Sequence, residues 1–420
     1  MALKREAIGR ASKRIVISAA LLCLALWMLQ WGLESRLAAS RSYTPEMTHV
    51  LTRFPDALVR LGTEAWAIQD LSGAIRLFQR AVSLDPLRGE GWLSLAETEK
   101  ASGNRDDARK ILDYVHGLGE RTLRWTWSET LLALDLGAYD MVWENLNRMI
   151  GNHRHSADAL QLADVLLAGE TEAVDKRFEA RNLPAYMKWL IRWGRLDQAL
   201  GVREKMARKG LKDTKADTWL SARLLSQKRV PEALSLWGAL PGRLTNPGFE
   251  ADITHGPFDW HFSDRGDRGW QIKRVAGKDG GRESGVSGRE VGGYSLSVTF
   301  DGKKNGSFAH LRQIVPVEPG KTYRLTAWWK GDELSTDQGP FLEVYGHDAK
   351  GLHVKGPMLL GTRDWEEVSL DFTAPEGCHA VVIRMRRYPS RKLDNRIKGT
   401  IWLDGFALMR KRADSKIADG

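Results

Sequence analysis

Residues 317–330, VEPGKTYRLTAWWK, turn at Pro319-Gly320 and then alternate. Tyr323, Leu325 and Ala327 interleave with Arg324, Thr326 and Trp328, and a period of two puts the first set on one side of a strand and the second on the other. The pattern predicts a core face and an outer face, with Trp329 inside and Trp328 outside. The same texture runs from Pro241-Gly242 onward, with Gly-rich turns and alternating runs at 294–300, 310–317, 340–345, 366–373, 380–388 and 400–408. At least seven short strands with this punctuation predict an all-β sandwich over residues 243–412, followed by a tail at 413–420.

Within that segment, Asn246-Pro247-Gly248-Phe249-Glu250 resembles the first strand of the jelly-roll carbohydrate-binding modules of the family 4, 9 and 22 type. The stretch from Val317 to Leu325 is similar to their turn and central strand. Trp365 with Phe372-Thr373-Ala374-Pro375 resembles the late hairpin, and Trp402-Leu403-Asp404-Gly405-Phe406 the closing strand. The resemblance implies a jelly roll with a glycan ligand. It also implies a structural calcium ion held by Glu250 and Asp404, the acids of the opening and closing motifs, whose hard oxygens suit such an ion. The alternative is that these two acids hydrogen-bond backbone where the ends of the domain meet.

Alternation assigns the other outward side chains. Leu342 and Val344 point in while Phe341, Glu343 and Tyr345 point out; Val381, Ile383 and Met385 point in while Arg384, Arg386 and Tyr388 point out. Trp328, Glu343, Tyr345, Arg384, Arg386 and Tyr388, with Arg312 from its own strand, form the candidate glycan face. Aromatic rings stack on the apolar side of a pyranose, and the charged groups bind hydroxyls or an acidic substituent. Against this stands the plainer reading of ordinary solvated strand residues. Trp260 and Trp270, in Gly-rich loops, are either rim contacts or loop plugs.

From residue 41 to 242 the apolar spacing is helical and repeats every 34 residues. Leu61-Gly62, Ala74, Phe78, Ala81 and Pro86 resemble the tetratricopeptide pattern. One period on lie Trp92, Leu95, Ala96, Gly103, Ala108 and Leu112, and another brings Gly137, Leu146 and Met149, with Val142 in the small-residue place. The pattern weakens after Ala157 and resumes with Gly194 and Ala199, then Ala233 and Trp237. The small residues let paired helices approach, and stacked pairs build a solenoid with a concave face. The resemblance implies a protein partner on that face; a simple spacer is the alternative.

Residues 15–33, IVISAALLCLALWMLQWGL, carry no charge and would rise ~28 Å as a helix against a ~30 Å hydrocarbon core. Lys4, Arg5, Arg10, Lys13 and Arg14 precede them. The expectation is a cytoplasmic N-terminus and transmembrane anchor over residues 1–40, with the remaining domains in the periplasm of a bacterium. A cleaved signal peptide is the competing reading.

The whole is therefore expected to be multidomain: a transmembrane helix, an all-α solenoid and an all-β jelly roll. Its 420 residues contain 42% hydrophobic and 28% charged residues, which excludes wholesale disorder and a multi-span membrane protein. Lys plus Arg outnumber Asp plus Glu 63 to 53, favouring an anionic neighbour without calling for nucleic acid. Cys23 and Cys378 are the chain's two cysteines, so neither a disulfide framework nor a zinc cluster is available. No phosphate loop, nucleophile elbow or glycosidase-like context stands out. The expected function is non-catalytic: binding of a protein by the repeats and of a glycan by the jelly roll, in exopolysaccharide, capsule or O-antigen assembly or export. A purely protein-binding envelope scaffold and a polysaccharide hydrolase or lyase are the alternatives.

Overall fold

The 34-residue spacing reappears as a spacing of helix starts. In a computed structural model that describes residues 17–32, 54–119, 123–152, 155–262, 269–276, 293–392 and 395–411, the chain divides into two units, Met1–Ala185 and Tyr186–Gly420.

The first unit holds α1 (residues 17–32). It continues with α2 (Pro55–Ala67), α3 (Leu71–Leu84), α4 (Gly89–Ala101), α5 (Arg105–Gly119), α6 (Thr126–Asp135), α7 (Tyr139–Gly151), α8 (Ser156–Leu167) and the single turn α9 (Val174–Arg177). The second helix of each pair starts at residue 71, 105 or 139, always after a left-handed residue: Gln69 (φ 67°), Gly103 (φ 91°) and Gly137 (φ 76°). That conformation ends a helix and turns the chain into its partner. Ala74 and Ala108 are fully buried, as is Val142 in the equivalent place. Helices α2 and α3 approach closely at Gly62, where a Cβ would lie 2.6 Å from the Phe78 ring.

The expected membrane anchor is not borne out. No helix among the described residues is long and apolar enough to cross a membrane. The inner-membrane placement, and the periplasmic setting inferred from it, lose their basis. Residues 1–16 and 33–53, on either side, lie outside the described residues.

The second unit takes in most of α10 (Leu183–Arg192), then α11 (Leu196–Arg208), α12 (Thr214–Ser226) and α13 (Val230–Trp237). Its turns are Gly194 (φ 74°) and, 34 residues on, Lys228 (φ 63°). Ala199 and Ala233 are fully buried.

Nine described strands follow: β1 (Trp270–Ala276), β2 (Tyr294–Asp301), β3 (Phe308–Pro316), β4 (Thr322–Leu334), β5 (Phe341–Gly346), β6 (His353–Lys355), β7 (Gly361–Thr373), β8 (Ala380–Arg387) and β9 (Lys398–Arg410). They form an antiparallel sheet of order β1-β2-β9-β4-β7 and another of order β3-β8-β5-β6. Inward side chains of both sheets, among them Leu296, Leu325, Trp329, Val344, Ile383 and Leu403, make one core. Trp260 is part of it at 1% exposure, so it is a plug. Trp270 packs against that core, stacked 4.7 Å from His310.

Candidate functional site

Which face a residue occupies follows from strand register, because directly paired residues point the same way. On the four-stranded sheet Arg312 pairs with Arg384, Arg384 with Glu343, and Glu343 with Lys355. Val382 pairs with Tyr345, Tyr345 with His353, and Phe341 with Arg386. Six of the sequence-derived residues, Arg312, Glu343, Tyr345, Arg384, Arg386 and Tyr388, therefore share the outer side of this sheet. Trp328 does not. It lies on β4, in the other sheet, and faces away on the far side of the sandwich.

The four-stranded face is built around one acid. Glu343 is fully buried, its Oε1 accepting from Arg384 Nε at 2.6 Å and its Oε2 lying 2.8 Å from His353 Nε2. The aromatic rings are partly covered by cations: Arg384 lies 4.6 Å from the Tyr345 ring centre, and Arg386 and Lys355 lie 4.7 and 5.2 Å from that of Tyr388. Phe341, expected outside, points outward but is buried against Tyr388. At the end of the sheet His347 Nε2 lies 2.9 Å from the Leu225 carbonyl at the end of α12. Burial holds its pKa below the usual imidazole range, and the charges of Lys228 and Arg312 add to that.

The five-stranded face carries Trp328 and a residue the sequence reading passed over, Trp402. Trp402 pairs with Lys330 and Trp328 with Asp404, so the two indoles are diagonal neighbours on one surface, both half-buried. Lys330 Nζ is 5.9 Å from the Trp402 ring centre, and Glu367 is paired with Trp328 from β7. Gly405, at φ 59°, makes room: a Cβ there would come 3.2 Å from Trp328 Cδ1. The signal for Trp402 was present, since Ile401 and Leu403 are core residues and alternation turns the residue between them outward.

Glu250 and Asp404 converge on Gly248, where a Cβ would lie 3.8 Å from Glu250 Oε1 and 3.4 Å from Asp404 Oδ1. Each also accepts backbone hydrogen bonds: Glu250 from Gly293 and Tyr294, Asp404 from Gly405 at 2.6 Å. Two carboxylates are hard donors of the kind calcium takes. Among the described residues no group of three or more His, Cys, Asp or Glu could hold a metal, so an ion here would draw its other ligands from carbonyls and water.

Arg387 was missed altogether. The inward alternation Val381, Ile383, Met385 continues to it, and this arginine is fully buried. It donates to the carbonyls of Gln338, Gly306 and Asn395 and to Asn305 Oδ1, joining three loops at one end of the sandwich. Burial lowers its pKa.

Among the described residues of the sandwich, Cys378 is not set up as a nucleophile. Burial pushes the Cys378 thiol up to about 11, and the adjacent Asp348 is engaged with the backbone of His379 and Ala380 and the His379 ring. A pocket of about 480 Å³ beside β7 contains Glu366 and Glu367. They are consecutive on a strand and so point to opposite sides.

No family model matches the chain, and no curated protein does. Solved structures match its β region at low similarity. A tailspike protein of bacteriophage CBA120 is 14% identical (40% of this chain, TM-score 0.27); the chain spans about a fifth of that protein's length. A Stig cyclase from Fischerella sp. TAU is 16% identical (42% of this chain, 100% of that one, TM-score 0.30). The xylan-binding CBM22-1 domain of Paenibacillus barcinonensis Xyn10C is also 16% identical (42% and 99%, TM-score 0.25). These likenesses are too weak to assign a ligand.

Proposed function

We propose that this chain is a non-catalytic glycan-binding protein whose β-sandwich receives a sugar chain on the outer face of the five-stranded sheet, while its paired helices bind a protein. The observation that carries the glycan reading is the diagonal indole pair, Trp328 and Trp402, on one surface with Lys330 and Glu367 at its margin. Indole faces supply the apolar contact a pyranose needs, and the two charged groups supply partners for hydroxyls. The alternative of a hydrolase or lyase would need two carboxylates facing one bond, which Glu366 and Glu367 do not offer.

Affinity electrophoresis of the full chain through a panel of soluble polysaccharides tests the reading. A retarding polymer is expected, with Trp328→Ala and Trp402→Ala each weakening binding about tenfold, or ~1.4 kcal/mol. Unchanged retardation in both variants would refute the site, and turnover of the polymer would refute the non-catalytic reading.

Glu250 and Asp404 would hold a calcium ion whose role is to tie the opening loop to the closing strand. Excess calcium should then raise the thermal midpoint relative to chelator by several degrees, and Asp404→Asn should abolish the difference. Equal midpoints would leave the two acids as backbone anchors.

A further inference from the structure

We propose that the outer face of the four-stranded sheet is a second binding surface, one that takes an acidic polysaccharide by pairing its carboxylates with Arg312 and Arg386. It stands on observations separate from the indole pair.

Arg312, Arg384, Glu343 and Lys355 form one row across four strands, roughly 15 Å long at ~4.8 Å per strand. Arg386 stands two residues from Arg384 along β8. The row's one carboxylate, Glu343, is already committed to Arg384 and His353. Three further cations, Arg312, Arg386 and Lys355, face outward around it. The Arg312 side chain is exposed, and Arg386 Nε is buried without a hydrogen-bond partner among the described residues. Arg386 and Lys355 rest on Tyr388, and Arg384 on Tyr345. The rings thus serve as seats that hold the cations in place.

The pair already present shows which ligand group fits. Arg384 grips Glu343 through Nε and Nη2 at 2.6 and 2.5 Å, a forked contact to a carboxylate oxygen. Planar guanidinium forks match planar carboxylates better than a lysine point charge does, and this face is richer in arginine than in lysine. A narrow row of forks crossing a flat sheet suits an extended chain that carries carboxylates at intervals.

The test is isothermal titration of the full chain with polygalacturonate oligomers, with their methyl esters, and with neutral xylan oligomers. The acidic oligomers should bind, with affinity falling as salt rises. The methyl esters should not bind at this face. The Arg312→Gln/Arg386→Gln variant should lose at least tenfold and the exposed Arg312→Gln alone about threefold, while Trp328→Ala/Trp402→Ala keeps the acidic affinity. Equal affinity for the esters, or an unchanged arginine variant, would overturn the proposal. Tighter binding of duplex DNA or anionic vesicles through the same arginines would overturn it too, by naming a different polyanion. Loss confined to the tryptophan variants would leave the indole reading standing and remove this one.

Discussion

The two outer faces of the sandwich each display an arginine–carboxylate pair, and the pairs are opposites. On the five-stranded face Arg324 holds Asp371 with two hydrogen bonds of 2.7 and 2.8 Å, Lys411 joins them, and both partners of the pair are more than 40% exposed. On the four-stranded face Arg384 holds Glu343, whose side chain is 0% exposed. The sequence alternates charge with apolar residues in both places. What differs is the cover: Tyr345, His353 and Arg384 lie around one acid, and water lies around the other. Exposed pairs are screened and contribute little, whereas an acid taken out of water must keep its partners.

The contrast can be pressed hardest through the buried cation. Arg387→Met should cost about 3–5 kcal/mol in urea unfolding, because several loop acceptors lose their donor at once; a loss below ~1 kcal/mol would mean water replaces it freely. Glu343→Ala is expected to cost about 3 kcal/mol by stranding Arg384, and a near-neutral result would place this pair with the exposed one. Asp371→Asn should leave the unfolding midpoint within error. Arg324 first, then Lys411, hold the Asp371 carboxyl well below the usual carboxylate range. A depressed acid contributes stability that is present above its unfolded pKa, about 4, and fades only as pH falls below it. Parent and variant should accordingly show the same pH dependence from 5 to 8, and divergence within that window would contradict the assignment.

Much of this architecture was legible because it rests on periods. A 34-residue repeat fixed where α3, α5 and α7 begin, and alternation placed Leu325, Trp329, Val344 and Ile383 inside. Alternation says which side of its own sheet a residue faces, but not which sheet its strand joins. Trp328 and Tyr345 each face outward, yet the order β1-β2-β9-β4-β7 against β3-β8-β5-β6 puts them on opposite surfaces. That pairing is decided by long-range register, which no local run encodes. Hydropathy misled in the first segment, where an uncharged apolar run predicted a span and no helix among the described residues is long and apolar enough to cross a membrane.

Arg387 gives the loops at its end of the sandwich a shared fate. With one guanidinium fastening Gly306, Gln338 and Asn395 together, displacement of any of them pulls on the others through a single rigid fork. Sequence drift in one loop is therefore felt as geometry in its neighbours, and insertions there should be accepted only where they leave that carbonyl in reach.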